Sequence, residues 1–368
     1  MGERSHDFYR RVDWFLVACL LVVLAFGVVF VASASTPERP RLGRHVLWII
    51  IGLAALVITA RMNYAVFVNY AYTIYVVCII ALVAVLFTRP VNYARSWFDL
   101  GLFKVQPSEF AKLGLVLCLA KYLSESESYR SLKGLAIPLG LTLLPAALIL
   151  RQPDLGTAMV FFPVCFAMLY AAGARLKHLG LTAVMGLAGA MGMFLIMHDY
   201  QKRRILAWLN PEHYEAGEAF QLLQSLVALG SGGVLGKGIG RGTQNKLGLV
   251  PVKESDFIFS VIGEEAGFIG AATLLALFAL IFVAGFGIAQ RAREPSGRMV
   301  ALGVVVLIAT QAFINVGVAE ALLPTTGVTL PLVSYGGSSM LTCCIAVGLL
   351  LSVGGHRQWV ISQDDFEE

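Results

Sequence analysis

Charge is what this sequence lacks. Asp, Glu, Lys and Arg make up only 14% of its 368 residues, where soluble domains carry about 25%. That is too little to cover the exterior of a water-soluble fold of this length, so soluble globular enzymes, disordered chains and fibrous repeats are excluded. Cysteine is sparse, and Cys19, Cys78, Cys118, Cys165, Cys343 and Cys344 all fall inside apolar runs. No paired CxxC spacing exists, so neither a disulfide scaffold nor a cysteine metal centre is indicated, and buried free thiols are expected. The six histidines show no HExxH spacing. A net charge of +5 carries less information here than where the charges lie, and no nucleic-acid partner is expected.

What is abundant is apolar: 58% of residues are hydrophobic, with a mean hydropathy of +0.76. A spanning helix needs about 20 mostly apolar residues. About ten stretches approach that length: 14–32, 45–60, 66–87, 107–123, 134–150, 154–172, 177–197, 257–289, 299–320 and 338–354. The expected fold is an all-α polytopic membrane protein forming one domain over 1–368. The first stretch follows Arg10-Arg11, and its apolar run exceeds the roughly 7–15 residues of a signal peptide, so it reads as a retained anchor. With the N-terminus inside, the inner segments hold thirteen Lys and Arg and the short outer loops hold seven. This bias places both termini in the cytoplasm. Only one connection is long. Residues 198–256 then lie outside, as a loop with amphipathic stretches such as Phe220-Gln221-Leu222-Leu223, and a loop this long is expected to be functional.

Several outward corners carry chemistry. Ser231–Gly242 is glycine-rich and contains Lys237 and Arg241, but it lacks the spacing of a nucleotide P-loop. It reads either as an interfacial turn or as a loop whose Lys237 and Arg241 meet a lipid headgroup phosphate. The run from Phe257 to Ala289, about 50 Å of helix at 1.5 Å per residue, is too long for a hydrocarbon core of about 30 Å. Its first turns should project beyond the membrane, with Asp256 at their start and Glu264 and Glu265 near the interface. Asp256 reads as a helix-start acid or as a general base. Glu109 and Lys112, three apart at the start of the fourth span, share one helix face. They form either a structural pair or part of a polar cavity. Asp154, beside Arg151, occupies the next corner at a helix start. Ser334, Tyr335 and Ser338 read as turn chemistry in a Pro- and Gly-rich corner, and Asp364–Glu368 as a short acidic tail. Glu109, Lys112, Asp154 and Asp256, with Arg95 and Arg151 nearby, therefore gather at one membrane face, as a site for a phosphate-bearing amphiphile would require.

Motifs spread along nearly the whole chain closely resemble the SEDS family (shape, elongation, division and sporulation proteins). They are Arg-Ser-Trp-Phe-Asp-Leu-Gly at 95–101, Gln-Pro-Ser-Glu-Phe-Ala-Lys at 106–112, Arg-Gln-Pro-Asp-Leu-Gly-Thr-Ala at 151–158, Arg-Ile-Leu-Ala-Trp-Leu-Asn-Pro at 204–211, Gln-Ser-Leu-Val-Ala-Leu-Gly-Ser-Gly-Gly at 224–233, Asp-Phe-Ile-Phe-Ser-Val-Ile-Gly-Glu-Glu at 256–265 and Pro-Leu-Val-Ser-Tyr-Gly-Gly-Ser-Ser at 331–339. Gly242-Thr243-Gln244 and Trp97–Gly101 look more like the elongation branch than the division branch. The resemblance implies a GT-C-like SEDS fold and a peptidoglycan glycosyltransferase that polymerises lipid II at the outer face of the cytoplasmic membrane. The partners it implies are a class B penicillin-binding protein docked beside the eighth and ninth spans, the nascent glycan strand, membrane lipid and the elongation machinery. Carried over by motif, Asp256 matches the family's essential aspartate, and Glu109, Lys112 and Asp154 match its polar cavity. Glu254-Ser255 stands where a His-Thr pair would be expected. On this reading Asp256 takes the proton of the acceptor hydroxyl, while Lys112 and Arg95 stabilise the leaving pyrophosphate. A divalent cation (Mg or Mn) is compatible with the chemistry, although no metal-ligand spacing is present. A lipid II flippase and a non-catalytic scaffold are the competing readings.

Overall fold

The computed structural model describes residues 12–35, 41–88, 95–99, 101, 103–196, 199–214, 219–249 and 252–356. Arg10-Arg11 and the acidic tail at 364–368 lie outside them. The helices of the first half are α1 (Trp14–Ala34), α2 (Leu42–Arg61), α3 (Tyr64–Asn69), α4 (Ala71–Val85), α5 (Pro107–Glu125), α6 (Ala136–Leu150), α7 (Leu155–Ala172) and α8 (Leu176–Ile196). Those of the second half are α9 (Asp199–Leu209), α10 (Phe220–Gly232), α11 (Thr243–Lys246), α12 (Ile258–Arg291), α13 (Pro295–Ala319) and α14 (Gly337–Gly355). A two-stranded hairpin, β1 (Phe98–Asp99) with β2 (Lys104–Val105), precedes α5. All ten apolar stretches of the sequence are helical, and among the described residues seven helices are long and apolar enough to cross a membrane. The third stretch is broken at Tyr70, where α3 gives way to α4.

The bundle is apolar on its outside, as a lipid-facing protein must be. Ile50, Val77, Phe87 and Val283 are exposed, whereas Glu109, Lys112, Gln311 and Asn315 are buried. Helices α5, α13 and α14 form the centre and α12 the periphery: 72% and 78% of the α13 and α14 windows are buried, against 22% for α12. Packing of α14 on α2 depends on small residues. A methyl group on Gly348 would lie 1.9 Å from Thr59 Oγ1, and one on Gly52 would lie 2.8 Å from Cys344 Sγ, so the two backbones approach as closely as small-residue membrane interfaces allow. All six cysteines are free and buried.

The long apolar run is not one straight helix. Gly267 takes φ 66°, ψ −165° and breaks α12 into a short leading piece and residues 268–291, about 36 Å long at 1.5 Å per residue, which suffices to cross the membrane. The glycine-rich loop fills the break. Lys237 N donates to Glu264 O (3.0 Å), Gly238 N to Glu265 O (2.9 Å), Phe268 N to Gly233 O (2.9 Å) and Ile269 N to Val234 O (3.2 Å). The loop backbone thus supplies partners that the interrupted helix cannot. Glu264 and Glu265, expected near the interface, are 0% and 1% exposed, because the loop folds over them.

Candidate active site

The segment between α11 and α12 is held by its own backbone. Tyr335 N donates to Glu254 O at 2.8 Å, Ser334 Oγ to Ser255 O at 2.5 Å and Asn315 Nδ2 to Asp256 O at 2.9 Å. Three successive carbonyls are therefore fixed by α13 and by the corner before α14. Ser334 and Tyr335 do act in turn geometry, as expected, and in doing so they place Asp256. Ser255 Oγ donates to Asp256 Oδ1 at 2.8 Å. The Asp256 side chain does not cap α12, whose N-cap residue is Phe257. Burial pushes its carboxyl above the ordinary carboxylate range; Ser255 and Arg204 oppose this, while Asp154 and Glu254 add to it.

Asp154 is the N-cap of α7. Its Oδ1 accepts from Thr157 N at 2.9 Å, and its Oδ2 accepts from Thr157 Oγ1 at 2.8 Å and from Gln106 Nε2 at 3.1 Å. The helix-start role anticipated from sequence is present, and the second oxygen ties α7 to the start of α5. Burial raises the Asp154 carboxyl too; the Thr157 hydrogen bonds and Lys112 oppose the rise, and Glu109 reinforces it. One turn into α5, Lys112 Nζ pairs with Glu109 Oε1 at 2.8 Å, with both side chains almost fully buried. Glu109 Oε2 is buried without a hydrogen-bond partner. The structure thus brings Asp256, Asp154, Glu109 and Lys112 to one end of the bundle.

Three expected contributors sit elsewhere. Arg95 is exposed and its Nη1 donates to Leu86 O at 3.0 Å, at the carbonyl end of α4. Lys237 directs its ammonium group to Ser231 Oγ (2.7 Å), Thr243 Oγ1 (2.6 Å) and Glu264 Oε1 (2.9 Å). An ammonium has three donors, and here all three are engaged by protein, which locks the loop. Arg241, on the same loop, is exposed and makes no contact with the four site residues. Sequence reasoning passed over Arg204 and Asn315. Arg204, on α9, donates to Thr325 O at 3.3 Å and stands close enough to favour the charged form of Asp256. With Pro153, Leu155, Ile205, Pro324 and Thr325 it lines a small cleft. Asn315, a buried amide inside an apolar span, was legible as a functional pointer on that ground alone.

Among the described residues, no three His, Cys, Asp or Glu side chains gather as metal ligands. A divalent cation there would rest on one or two carboxylates and the substrate's phosphates rather than on a cage of protein ligands.

A mostly helical membrane bundle, with buried carboxylates and cations converging at one end, defines a polytopic membrane protein with a polar site at the mouth of its central helices. A family model described as "Cell cycle protein", covering FtsW, RodA and SpoVE, matches residues 13–358. The chain belongs to this family, the SEDS proteins. It is 36% identical to the peptidoglycan glycosyltransferase MrdB of Escherichia coli K12 over 350 residues, covering 95% of each chain. It is 37% identical to the stage V sporulation protein E of Bacillus subtilis, covering 94% of this chain and 98% of the relative. Among solved structures, it superposes on a chain from work on a peptidoglycan synthase complex that coordinates polymerization and crosslinking, with TM-score 0.83 and 32% identity, covering 95% of this chain and 99% of that one. It also superposes on the rod shape determining protein RodA of Thermus thermophilus with TM-score 0.71 and 31% identity, covering 94% and 97%.

Proposed function

We propose that this protein is a peptidoglycan glycosyltransferase that polymerises lipid II into glycan strands at the outer face of the cytoplasmic membrane, with both termini inside. The observation that carries the reading is Asp256: an immobilised carboxylate with raised proton affinity, faced by a guanidinium, at the mouth of a membrane bundle. A base that must take a proton from a sugar hydroxyl works best with a pKa moved toward neutrality. Asp256 accepts the proton of the acceptor GlcNAc 4-hydroxyl while that oxygen attacks C1 of the donor MurNAc. The C1–O bond to undecaprenyl pyrophosphate breaks, and the anomeric configuration inverts from α to β. Developing charge on the leaving pyrophosphate is stabilised by cations at that end, Lys112 and Arg204, with Arg95 as expected from sequence. Asp154 holds the start of α7 against the start of α5, the helix that carries Lys112.

A class B penicillin-binding protein is the proposed partner, supported by the likeness to a chain studied within a polymerising and crosslinking complex. A role in elongation is supported by the likeness to RodA, at 31% identity; the sporulation relative is 37% identical.

The test is lipid II polymerisation by the purified protein with its cognate partner, comparing wild type with Asp256→Asn after both are shown to fold and to bind that partner. Glycan chains from wild type and none from D256N support the reading. Equal chains from both remove Asp256 from the role. If neither makes chains, lipid II translocation in liposomes separates a flippase from a scaffold.

A further inference from the structure

Two residues before Asp256, Glu254 departs from the pair expected by resemblance, and the structure gives it a partner. Glu254 Oε1 meets Arg41 Nε at 2.9 Å, with the glutamate side chain 11% and the arginine 32% exposed. Arg41 is the N-cap residue of α2 and makes no side-chain cap there. A cation at that position opposes the helix dipole, so helix formation does not explain it. Its guanidinium lies over the Tyr335 ring, 5.0 Å from the centroid, and the same Tyr335 donates its backbone N–H to Glu254 O. Arg41, Tyr335 and Glu254 therefore form a closed clamp joining three segments far apart in sequence, and Glu254 and Asp256 share one short turn.

We propose that the Arg41–Glu254–Tyr335 clamp is a positioning device for Asp256: it fixes the turn carrying the base and neutralises the carboxylate nearest to it in sequence. The proposal rests on the assignment of Asp256 as general base. The groups facing Asp256 are Arg204 from α9, Asp154 from the start of α7, and Glu254 and Ser255 from its own segment. Within that set, Arg41 acts through Glu254. Removing Arg41 leaves the Glu254 charge balanced only by the neighbouring Lys253, which disfavours ionisation of Asp256. Removing Glu254 does the reverse.

The test is the pH dependence of polymerisation by the full chain with its partner protein, in Arg41→Gln, Glu254→Gln, the double variant and the charge swap R41E/E254R, with Asp256→Asn as reference. The acid limb is expected to move up in R41Q and down in E254Q, each by about 0.3–1 pH unit for one added or removed charge in a high-dielectric setting. In the double variant it should return toward wild type. Turnover should fall roughly 10- to 100-fold in the single variants with KM little changed, and the swap should recover part of it. A purely structural clamp would lower the yield of folded protein and leave the limb in place. If D256N is inactive and the limb stays fixed in every folded variant, the proposal is overturned while the general-base reading stands. If D256N is active, the general-base reading itself fails, and the clamp's assigned role with it. Should R41Q not fold, the swap carries the test: the acid limb restored to the wild-type position supports the clamp, and a swap as inactive as D256N overturns it.

Discussion

Replacing Gly267 with alanine perturbs the junction on which the outer loop depends. At φ 66°, ψ −165° the residue occupies a region essentially restricted to glycine, where a side chain costs on the order of 1–3 kcal/mol. The added methyl would also lie 2.3 Å from Gly236 N and 2.6 Å from Val234 O. These are backbone atoms, so relief requires the loop to move away. Moving it strains the four hydrogen bonds that bridge loop and helix, each worth about 0.5–1.5 kcal/mol. Strain plus partial loss of those bonds gives a penalty of about 3–6 kcal/mol, concentrated on the loop rather than spread over the bundle. The assay is amide hydrogen exchange of the protein in nanodiscs, read at Lys237, Gly238, Phe268 and Ile269, since local opening is reported there residue by residue. A local penalty of about 3 kcal/mol should accelerate those amides by roughly 100-fold, while α13 and α14 keep wild-type protection. Gly287→Ala is the control: it lies in the same helix, and a methyl there meets nothing within 4 Å, so exchange should be unchanged. Wild-type protection of all four amides in G267A would refute the claim that the loop seals a broken helix.

Three further outcomes follow from the site. Breaking the buried Glu109–Lys112 pair by E109Q or K112M alone should cost roughly 3–5 kcal/mol, because the remaining charge is stranded, whereas the double variant should lose less; thermal unfolding in detergent gives the coupling, and additive losses would contradict it. Lys237→Met should destabilise the loop by about 1.5–3 kcal/mol through the lost charge-assisted bond to Glu264 without raising KM for lipid II; a raised KM with unchanged stability would assign Lys237 to the phosphate. The activity of wild type should fall with acid at a pH above the ordinary aspartate value of about 3.9, because burial raises the Asp256 carboxyl and only its ionised form can accept the proton; an acid limb at or below that value would exclude Asp256 as the base.

The apolar helices, and the end of the bundle where the acids gather, were readable from residues alone. Lipid imposes a length and an apolar face on every crossing segment, and ionisable groups beside those segments stand out because they are costly there. That logic singled out Asp256, Asp154, Glu109 and Lys112. The break in α12 was not readable. Its apolar run contains Gly263, Gly267, Gly270, Gly285 and Gly287, all alike in sequence, and only Gly267 has positive φ, because only there does another backbone arrive to take over the hydrogen bonds. Charge partners were equally hidden. Lys237 could meet a phosphate or Glu264, and Arg41 could meet solvent or Glu254, until the loops that carry them were folded together. The sequence by itself determined a membrane bundle, its helices and the carboxylates at one mouth, since these follow from local periodicity and the cost of charge in lipid. Which cation faces which carboxylate was decided only by tertiary structure, because pairing depends on contacts between segments far apart along the chain.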